Sequence, residues 1–207
     1  PSQMGSPTQT RYYRAVVKSG ACATLNSSPA AVEVHTPSTA PTGISGTASI
    51  CRGSSTTLTA NGGALGTGAS YQWGTGSTVG SNVIAGQTGP SITVSPTSTT
   101  TYWVRIVSQG PCGSTVGRTR TVTVSQPTVA GTVSSSQTIC GGSEPSALTL
   151  SGHTGSVLRW EYSSGSTFPG VTTISSTSTT LTPSQMGSPT QTRYYRAVVK
   201  SGACATL

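Results

Sequence analysis

The sequence predicts an all-β protein built of antiparallel β-sandwiches, and three observations support this fold class. Val, Ile, Leu and Tyr recur in short runs that alternate with polar residues, as at Val122 and Val124, which is the period of a half-buried strand. Turn signals rich in Gly, Asn and Ser separate these runs, for example at 61–63 and 163–166. No window has the apolar spacing of an amphipathic helix. Short strands at such intervals are typical of a sandwich.

The composition is unusual for a globular domain. Ser and Thr supply 73 of the 207 residues, beside 26 Gly and 13 Pro, while charged residues make up only 7%. This bias can indicate a disordered stalk. The alternating apolar runs argue for folded strands instead, because Thr and Val suit a half-buried pleated surface.

An internal repeat organises the chain. Residues 1–25 recur unchanged as residues 183–207, so the repeat has a period of 182 residues. Identity over this length predicts a longer parent protein with several near-identical tandem copies. The absence of an initiator Met and of a signal peptide also leads us to expect a fragment of something longer.

A second, diverged repeat lies inside the period. Residues 50–53 (ICRG) match residues 139–142 (ICGG), and residues 101–112 (TYWVRIVSQGPC) match residues 193–204 (RYYRAVVKSGAC) without gaps. The period therefore contains two domains of one design, each about 90 residues long. We predict a complete module over 43–126, a module lacking its last strand over 127–207, and the C-terminal strands of a preceding module over 1–36. In the last of these, residues 30–34 would be the closing strand.

The remaining strands are assigned from alternation and turn signals. The predicted strands are 56–60, 70–73, 91–94, 101–107 and 118–124 in the first module, and 147–150, 157–162, 179–182 and 193–200 in the second.

The five cysteines follow the same repeat. Cys51 and Cys112 would pair within the first module, and Cys140 and Cys204 within the second, which leaves Cys22 unpaired because its partner would belong to the preceding module. Each bridge would close a loop of about 60 residues and contribute roughly 4 kcal/mol. Such bridges require an oxidising compartment. Metal ligation or a catalytic thiol is disfavoured, because no close Cys/His spacing or supporting base is present.

The tryptophans are predicted to occupy two environments. Trp73 and Trp160 each follow the opening cysteine of a module by about 20 residues, the position at which immunoglobulin-like sandwiches bury a Trp against the bridge between their sheets. An exposed sugar-stacking role is the alternative for these two. Trp103 would point outward if Tyr102 and Val104 point inward, which makes it a candidate contact residue or an edge residue covered by a neighbouring module.

The charge pattern suggests little specific binding. The formal net charge is +8, and the densest basic cluster consists of Arg193, Arg196 and Lys200, repeated as Arg11, Arg14 and Lys18. These cations could attract anionic envelope polymers weakly or simply keep the surface solvated. Nucleic-acid binding would require a denser patch with stacking aromatics.

Several kinds of chemistry are disfavoured by what is missing. The only acidic residues are Glu33, Glu144 and Glu161, too few for a calcium cluster or a paired-carboxylate glycosidase site. His35 and His153 have no evident triad partner. We therefore predict no catalytic, cofactor-binding or metal-ligating residues, and no run long enough for membrane insertion.

Three segments of the first module resemble a known family. The pattern ICxGxSxTLTA at Ile50–Ala60, YxW at Tyr71–Trp73 and the segment Ser91–Ile106 are similar to the immunoglobulin-like repeats of Bacteroidetes surface proteins. The TRYYRAVVKSGAC segment of the second module resembles a sister repeat in the same proteins. The resemblance implies giant extracellular adhesins exported by the type IX secretion system, including gliding-motility adhesins, with no enzymatic activity.

These observations lead to one functional hypothesis with two alternatives. The chain would be part of an extended, disulfide-stapled adhesin stalk that serves attachment or gliding and contacts neighbouring copies of its own repeat. Alternatively, the repeats themselves bind polysaccharides or abiotic surfaces. An accessory domain of an enzyme is disfavoured, because enzymes seldom need many identical spacers.

Overall fold

The computed structural model describes residues 4–134 and 136–207, and these residues form β-strands with a single short helix. The strands of the first sixty residues or so are β1 (Arg11–Tyr13), β2 (Val16–Val17), β3 (Leu25–Asn26), β4 (Ala30–Val32), β5 (Gly43–Ser45), β6 (Ser49–Cys51) and β7 (Thr56–Asn61). The next strands are β8 (Ala69–Thr75), β9 (Ser91–Val94), β10 (Thr100–Ser108), β11 (Arg118–Ser125) and β12 (Thr132–Val133). The remaining elements are β13 (Leu148–Ser151), β14 (Ser156–Ser163), β15 (Thr172–Ile174), β16 (Thr180–Leu181), α1 (Pro183–Met186) and β17 (Tyr194–Lys200).

Residues 43–125 form a sandwich of two sheets, called here the first sandwich. One sheet has the strand order β5-β7-β9 and the other β6-β11-β10-β8. Leu58 and Ile92 from the first sheet pack with Trp73, Val104 and Val122 from the second, and all five are buried. Because side chains alternate along a strand, each sheet contributes one apolar face to this core. Two sheets that face each other across an apolar core agree with the predicted β-sandwich.

The second and last strands of this sandwich run side by side in the same direction. Strand β6 pairs with β11 in parallel register, which places Ile50 opposite Val124 and Cys51 opposite Ser125. The other strand pairs of the first sandwich are antiparallel. Cys51 therefore lies at the end of the sandwich from which the chain leaves.

Residues 132–134 and 136–200 form the second sandwich, with sheets β12-β13-β16 and β15-β14-β17. Its core contains Leu150, Trp160, Leu181 and Val199, which are buried, together with Met186 from α1. Strand β17 corresponds to β10, yet it pairs only with β14, so its other edge carries no strand within the residues that the structure describes.

The segment before the first sandwich shows how the repeated residues pair when a closing strand follows them. Strand β1 pairs with β4 and β2 pairs with β3, both antiparallel, so residues 11–17 and 25–32 form a hairpin. Residues 11–17 have the same sequence as 193–199. The prediction that residues 30–34 form a closing strand is supported over Ala30–Val32.

The all-β prediction is confirmed, and the predicted strands coincide with β7 to β11, β13, β14, β16 and β17. Five strands were not predicted, namely β3, β5, β6, β12 and β15. Each of these has only two or three residues, too few for alternation to be recognised. They exist because a neighbouring strand accepts their backbone hydrogen bonds.

The prediction of one disulfide within each sandwich is wrong. The structure has a single bridge, between Cys51 and Cys204, while Cys22, Cys112 and Cys140 are free and exposed. The physical reason is the direction of β10, which runs from the exit end of the sandwich to its entry end. Cys112 follows β10, so it lies the length of a nine-residue strand, about 30 Å, from Cys51. Direct bonding needs Cα atoms within about 7 Å.

Candidate functional site

The junction between the two sandwiches is held by a covalent bond. Strand β11 ends at Ser125, and β12 begins at Thr132. The loop after β17 folds back onto this short connection and brings Cys204 to Cys51, with 4.7 Å between their Cα atoms. The bridge thus links the opening cysteine of the first sandwich to the closing cysteine of the second.

Hydrogen bonds fix the same loop on the connection. The Ala203 amide donates to Ser125 Oγ at 3.1 Å, and the Ser201 amide donates to Thr128 Oγ1 at 3.1 Å. Thr128 Oγ1 in turn donates to the carbonyl oxygen of Ala205 at 2.6 Å. Gly202 lies so close to the Ser125 side chain that a Cβ would collide with it. These contacts join the loop after β17 to the connection between the two sandwiches.

The start of the first sandwich carries a second junction of the same design. Here Cys112 Sγ lies 3.5 Å from the carbonyl oxygen of His35, just as Cys204 Sγ lies 3.6 Å from that of Ser125. A Cβ on Gly110 would lie 2.7 Å from His35 Nδ1, which repeats the contact between Gly202 and Ser125.

Isolated backbone bridges extend the correspondence between the two junctions. Thr39 pairs with Ala64 at the first junction, and Val129 pairs with Thr154 at the second. The two members of each pair are 90 residues from their counterparts at the other junction. The loop after β7 therefore contacts the first connection as the loop after β13 contacts the second.

An open groove of about 720 Å³ lies in the second sandwich. It runs between the opening segment 136–141 and the start of β17, with Leu148 and Met186 at its base. In the first sandwich β11 fills the equivalent space between β6 and β10. The consequence is visible in exposure, because Ile139 is 38% exposed where its counterpart Ile50 is 5% exposed. Tyr194 is 41% exposed where its counterpart Tyr102 is 5% exposed.

Glu161 on β14 is buried between two arginines. Arg159 Nε donates to Glu161 Oε1 at 2.7 Å, and Arg196 Nε donates to Oε2 at 2.9 Å. Burial alone would raise the pKa of Glu161, but the hydrogen bonds from Arg196 and Arg159, together with their charges, lower it below its ordinary value. The carboxylate is therefore ionised at neutral pH.

The predicted basic contact residues are mostly engaged inside the protein. The guanidinium of Arg193 stacks 4.4 Å from the Tyr162 ring centre and donates to the carbonyl oxygen of Met186. Arg196 stacks 4.2 Å from the ring of Phe168. Lys200 alone of the three is exposed without such a contact among those described. The structure does not form one free cationic patch from these residues.

Trp73 and Trp160 occupy equivalent places in the two cores. Both are fully buried, and each indole N–H donates at 2.9 Å to a backbone carbonyl, that of Gly89 or that of Ser178. Neither Trp is available for stacking on a sugar.

The expectation that Trp103 forms an exposed contact is wrong. Its side chain lies on the face away from the core, as alternation predicts, yet it is fully buried. The loop after β8 covers it, and its indole N–H donates to the carbonyl oxygens of Thr75 and Ser81 at 3.2 and 2.9 Å. The sequence offered no signal that this loop folds back across the sheet.

Over residues 4–134 and 136–207, no three His, Cys, Asp or Glu side chains come together in a way that could hold a metal ion. The same part of the chain contains no helix with the length and hydropathy needed to cross a membrane. The feature that sequence reasoning missed is the bridged junction, because cysteine spacing alone allows either pairing.

Comparison with known proteins gives one family. A family model described as "Domain of unknown function (DUF8696)" matches residues 40–126 and matches again at residues 129–207, so the matches span both sandwiches. Comparison with curated proteins finds no match.

Two solved structures are similar to the chain only at low TM-scores. One is described as "Ca2+-stabilized adhesin helps an Antarctic bacterium reach out and bind ice", with 14% identity and a TM-score of 0.38 over 96% of this chain and 54% of that chain. The other is described as "Crystal structure of chicken CNTN1 FN1-FN3 domains", with 11% identity and a TM-score of 0.33 over 97% of this chain and 73% of that one. The chain thus spans about half the length of the first structure. Neither similarity carries an argument about fold or function.

Proposed function

This chain belongs to the DUF8696 family, and from that premise we propose that it is a repeat segment of a large bacterial cell-surface adhesin. Its sandwiches act as an extended, disulfide-linked stalk that holds a distal binding region away from the cell. No step of this role is catalytic.

The observation that carries the proposal is the bond between Cys51 and Cys204. A bridge inside a domain stabilises that domain, whereas a bridge between consecutive domains restrains the angle between them. The hydrogen bonds of Ser125 and Thr128 to the loop after β17 restrain the same angle. A spacer needs this property, because freely jointed domains would coil and shorten the reach.

The repeat supplies the length. Residues 1–25 recur after 182 residues, so in this proposal a pair of sandwiches recurs with that period, and the longest strand, β10, has nine residues. At about 3.3 Å per residue, with turns at both ends, each sandwich extends the stalk by roughly 40 Å and each period by roughly 80 Å.

The groove of the second sandwich supports a continuous array. In this proposal, the copy of residues 26–34 that follows each second sandwich enters the groove beside β17 and completes the sheet. Residues 11–17 have the same sequence as residues 193–199 of β17, and they already pair in this way with residues 25–32. Each repeat would then be completed by the next.

The cellular setting follows from the chemistry and from the family resemblance. A structural disulfide fits an extracellular location. Attachment or gliding motility and export by the type IX system are supported by the sequence resemblance alone. Partners would be neighbouring copies, the secretion and motility machinery and the surfaces to which the adhesin attaches, without nucleic acid or membrane insertion.

Direct binding of glycans or abiotic surfaces by the repeats has less support. Arg193 and Arg196 are held by Tyr162, Phe168 and Glu161, and all three Trp side chains are buried. A glycan array probed with the 207-residue chain tests this alternative, and saturable binding that is lost in Lys200→Ala would favour it.

The stalk is tested by its dimensions. We expect small-angle X-ray scattering of chains with one, two and three periods to show a maximum dimension that rises by roughly 80 Å per period. A compact particle whose dimension does not grow with added periods would reject the stalk.

A further inference from the structure

We propose that every junction between consecutive domains carries a disulfide from the opening cysteine of one domain to the closing cysteine of the next. Cys140 and Cys112 are then halves of two further bridges whose partners lie in neighbouring copies of the repeat. The inference rests on the proposed tandem stalk and specifies how its copies are joined.

The opening and closing cysteines of the two sandwiches are equivalent in sequence. Cys51 and Cys140 stand at the same place in the two ICxG segments, while Cys112 and Cys204 end the two matching 12-residue segments. The observed bridge joins an opening cysteine to a closing cysteine 153 residues later. Applied to Cys140, the same rule selects the copy of Cys112 in the following period, which lies 154 residues later.

The surroundings of Cys112 repeat those of Cys204. Its sulfur already lies at the carbonyl of His35, the counterpart of Ser125, against which Cys204 packs. Gly110 presses on His35 as Gly202 presses on Ser125. Cys112 therefore lies against the connection that precedes the first sandwich, in the same position that Cys204 has when it bonds to Cys51. The Cys112 side chain is exposed there.

Cys140 occupies the place in the second sandwich that Cys51 occupies in the first. In the first sandwich, pairing of β6 with the closing strand places Cys51 beside Ser125, at the exit end. Cys140 ends the equivalent opening segment, and the groove beside this segment is where the next closing strand would lie. Once that strand is in place, residue 35 of the next copy lies beside Cys140. The docked Cys112 of the same copy then comes within bonding reach.

The rule accounts for all five cysteines. Cys22 is the copy of Cys204, so its partner is the copy of Cys51 in the preceding period. Cys51 and Cys204 are bonded to each other, and Cys112 and Cys140 pair with neighbouring copies. No thiol in a continuous array is left unassigned, although three are free in a single 207-residue chain.

Bridge formation is an ordinary thiol oxidation. The sulfurs of Cys140 and of the neighbouring Cys112 form one S–S bond and release two protons and two electrons. A disulfide oxidant such as glutathione disulfide accepts them and leaves as two thiols. The two cysteine sulfurs are oxidised and the glutathione sulfurs are reduced.

The consequence is a stalk in which successive bridges overlap along the chain. Cys140 lies between Cys51 and Cys204 in the sequence. Its bridge to Cys112 of the next copy therefore starts inside the loop that the Cys51–Cys204 bridge closes. Each domain is therefore bonded to the domain before it and to the domain after it.

The test uses a two-period chain, residues 1–207 followed directly by a second copy of residues 26–207. This chain is refolded with reduced and oxidised glutathione, its free thiols are alkylated, and its disulfides are mapped by mass spectrometry without reduction. We expect Cys51–Cys204 in both periods and nearly complete linkage of Cys140 of the first period to Cys112 of the second. Cys22, the first Cys112 and the second Cys140 should be alkylated.

Other maps would overturn the inference. Alkylation of Cys140 in the first period and Cys112 in the second would do so, as would links of Cys51 to Cys112 or absence of Cys51–Cys204. As a matched control, Cys140→Ser in the first period should free Cys112 of the second and leave both Cys51–Cys204 links intact. Scattering from the same sample separates the two proposals, because an extended particle without the Cys140 link rejects only the inference, and a compact particle rejects the stalk.

Discussion

Gly74 lies directly beneath the indole ring of Trp103, so close that a methyl group on the glycine would overlap the ring. The two residues are paired across β8 and β10, on the face of the sheet that points away from the core. The absence of a side chain at Gly74 lets the indole lie flat on the sheet, where the loop after β8 closes over it. This relationship explains why Trp103 is buried although it faces outward.

Replacing that glycine tests the packing. We expect Gly74→Ala to lower the free energy of unfolding of the first sandwich by about 1–3 kcal/mol, because the added methyl must displace the indole. Urea denaturation followed by Trp fluorescence measures the loss. The matched control is Gly43→Ala in β5, where a Cβ meets nothing within 4 Å and the change should stay within about 0.5 kcal/mol. Equal effects of the two substitutions would contradict the packing argument.

Pulling the chain from its ends should reveal which cysteines are bonded. The bridge between Cys51 and Cys204 withholds 153 residues from extension, so reduction should lengthen the fully unfolded chain by roughly 540 Å. Single-molecule force spectroscopy with and without a reducing agent measures this length. Bridges within each sandwich would withhold only 125 residues in total, and the gain on reduction would then be roughly 440 Å. Cys112→Ser should behave like the unchanged chain.

The buried carboxylate predicts a dependence of stability on pH. The folded-state pKa of Glu161 lies below its unfolded value, so its ionised form stabilises the fold above the unfolded pKa. That contribution is lost as the pH falls through the folded-state pKa. We expect Glu161→Gln to cost about 2 kcal/mol at pH 7, because hydrogen bonds to Arg159 and Arg196 lose their charge assistance.

The difference in unfolding free energy between the unchanged protein and Glu161→Gln should shrink to near zero in acid, when Glu161 itself is protonated. Denaturant titrations of both proteins between pH 7 and pH 2 measure it. Glu144→Gln is the control, because the Glu144 side chain is exposed and should change stability little at any pH. A cost for Glu161→Gln that stays constant with pH would argue against the ion pairs.

The groove predicts that the second sandwich gains stability from a closing strand. The test uses a chain in which a second copy of residues 26–36 follows Leu207. We expect the free energy of unfolding of its second sandwich to be at least about 2 kcal/mol higher than in the 207-residue chain. The reason is that Ile139 and Tyr194 would lose their exposure. Hydrogen exchange of the β17 amides and urea denaturation measure the change.

A control for the added strand uses a disrupted copy. Val32→Lys in the added segment keeps the length of the chain but places a charge in the strand that should fill the groove. We expect this version to return to the stability of the 207-residue chain. Equal stabilisation by both versions would show that the groove does not receive this strand.

Much of the architecture follows from local sequence. The period of two, the turn signals and the 182-residue repeat predict most strands, and the positions of Trp73 and Trp160 predict the centres of both cores. These features depend on patterns a few residues long, in which side-chain direction is tied to position along a strand. The sequence also predicts a low-charge, disulfide-containing β protein without evident catalytic groups.

Only the tertiary structure decided three features of this protein. These are the pairing of the cysteines, the burial of Trp103, and the contacts of Arg193 and Arg196 with aromatic and acidic side chains. Cys51 and Cys112 belong to one domain, yet they lie at opposite ends of it because Cys112 follows β10. The short connection after Ser125 instead brings Cys204 of the next domain to Cys51. Sequence spacing counts residues along the chain, whereas bonding depends on which end of a sandwich each strand reaches. For this protein the sequence determined the domains, and the directions of the strands determined how those domains are joined.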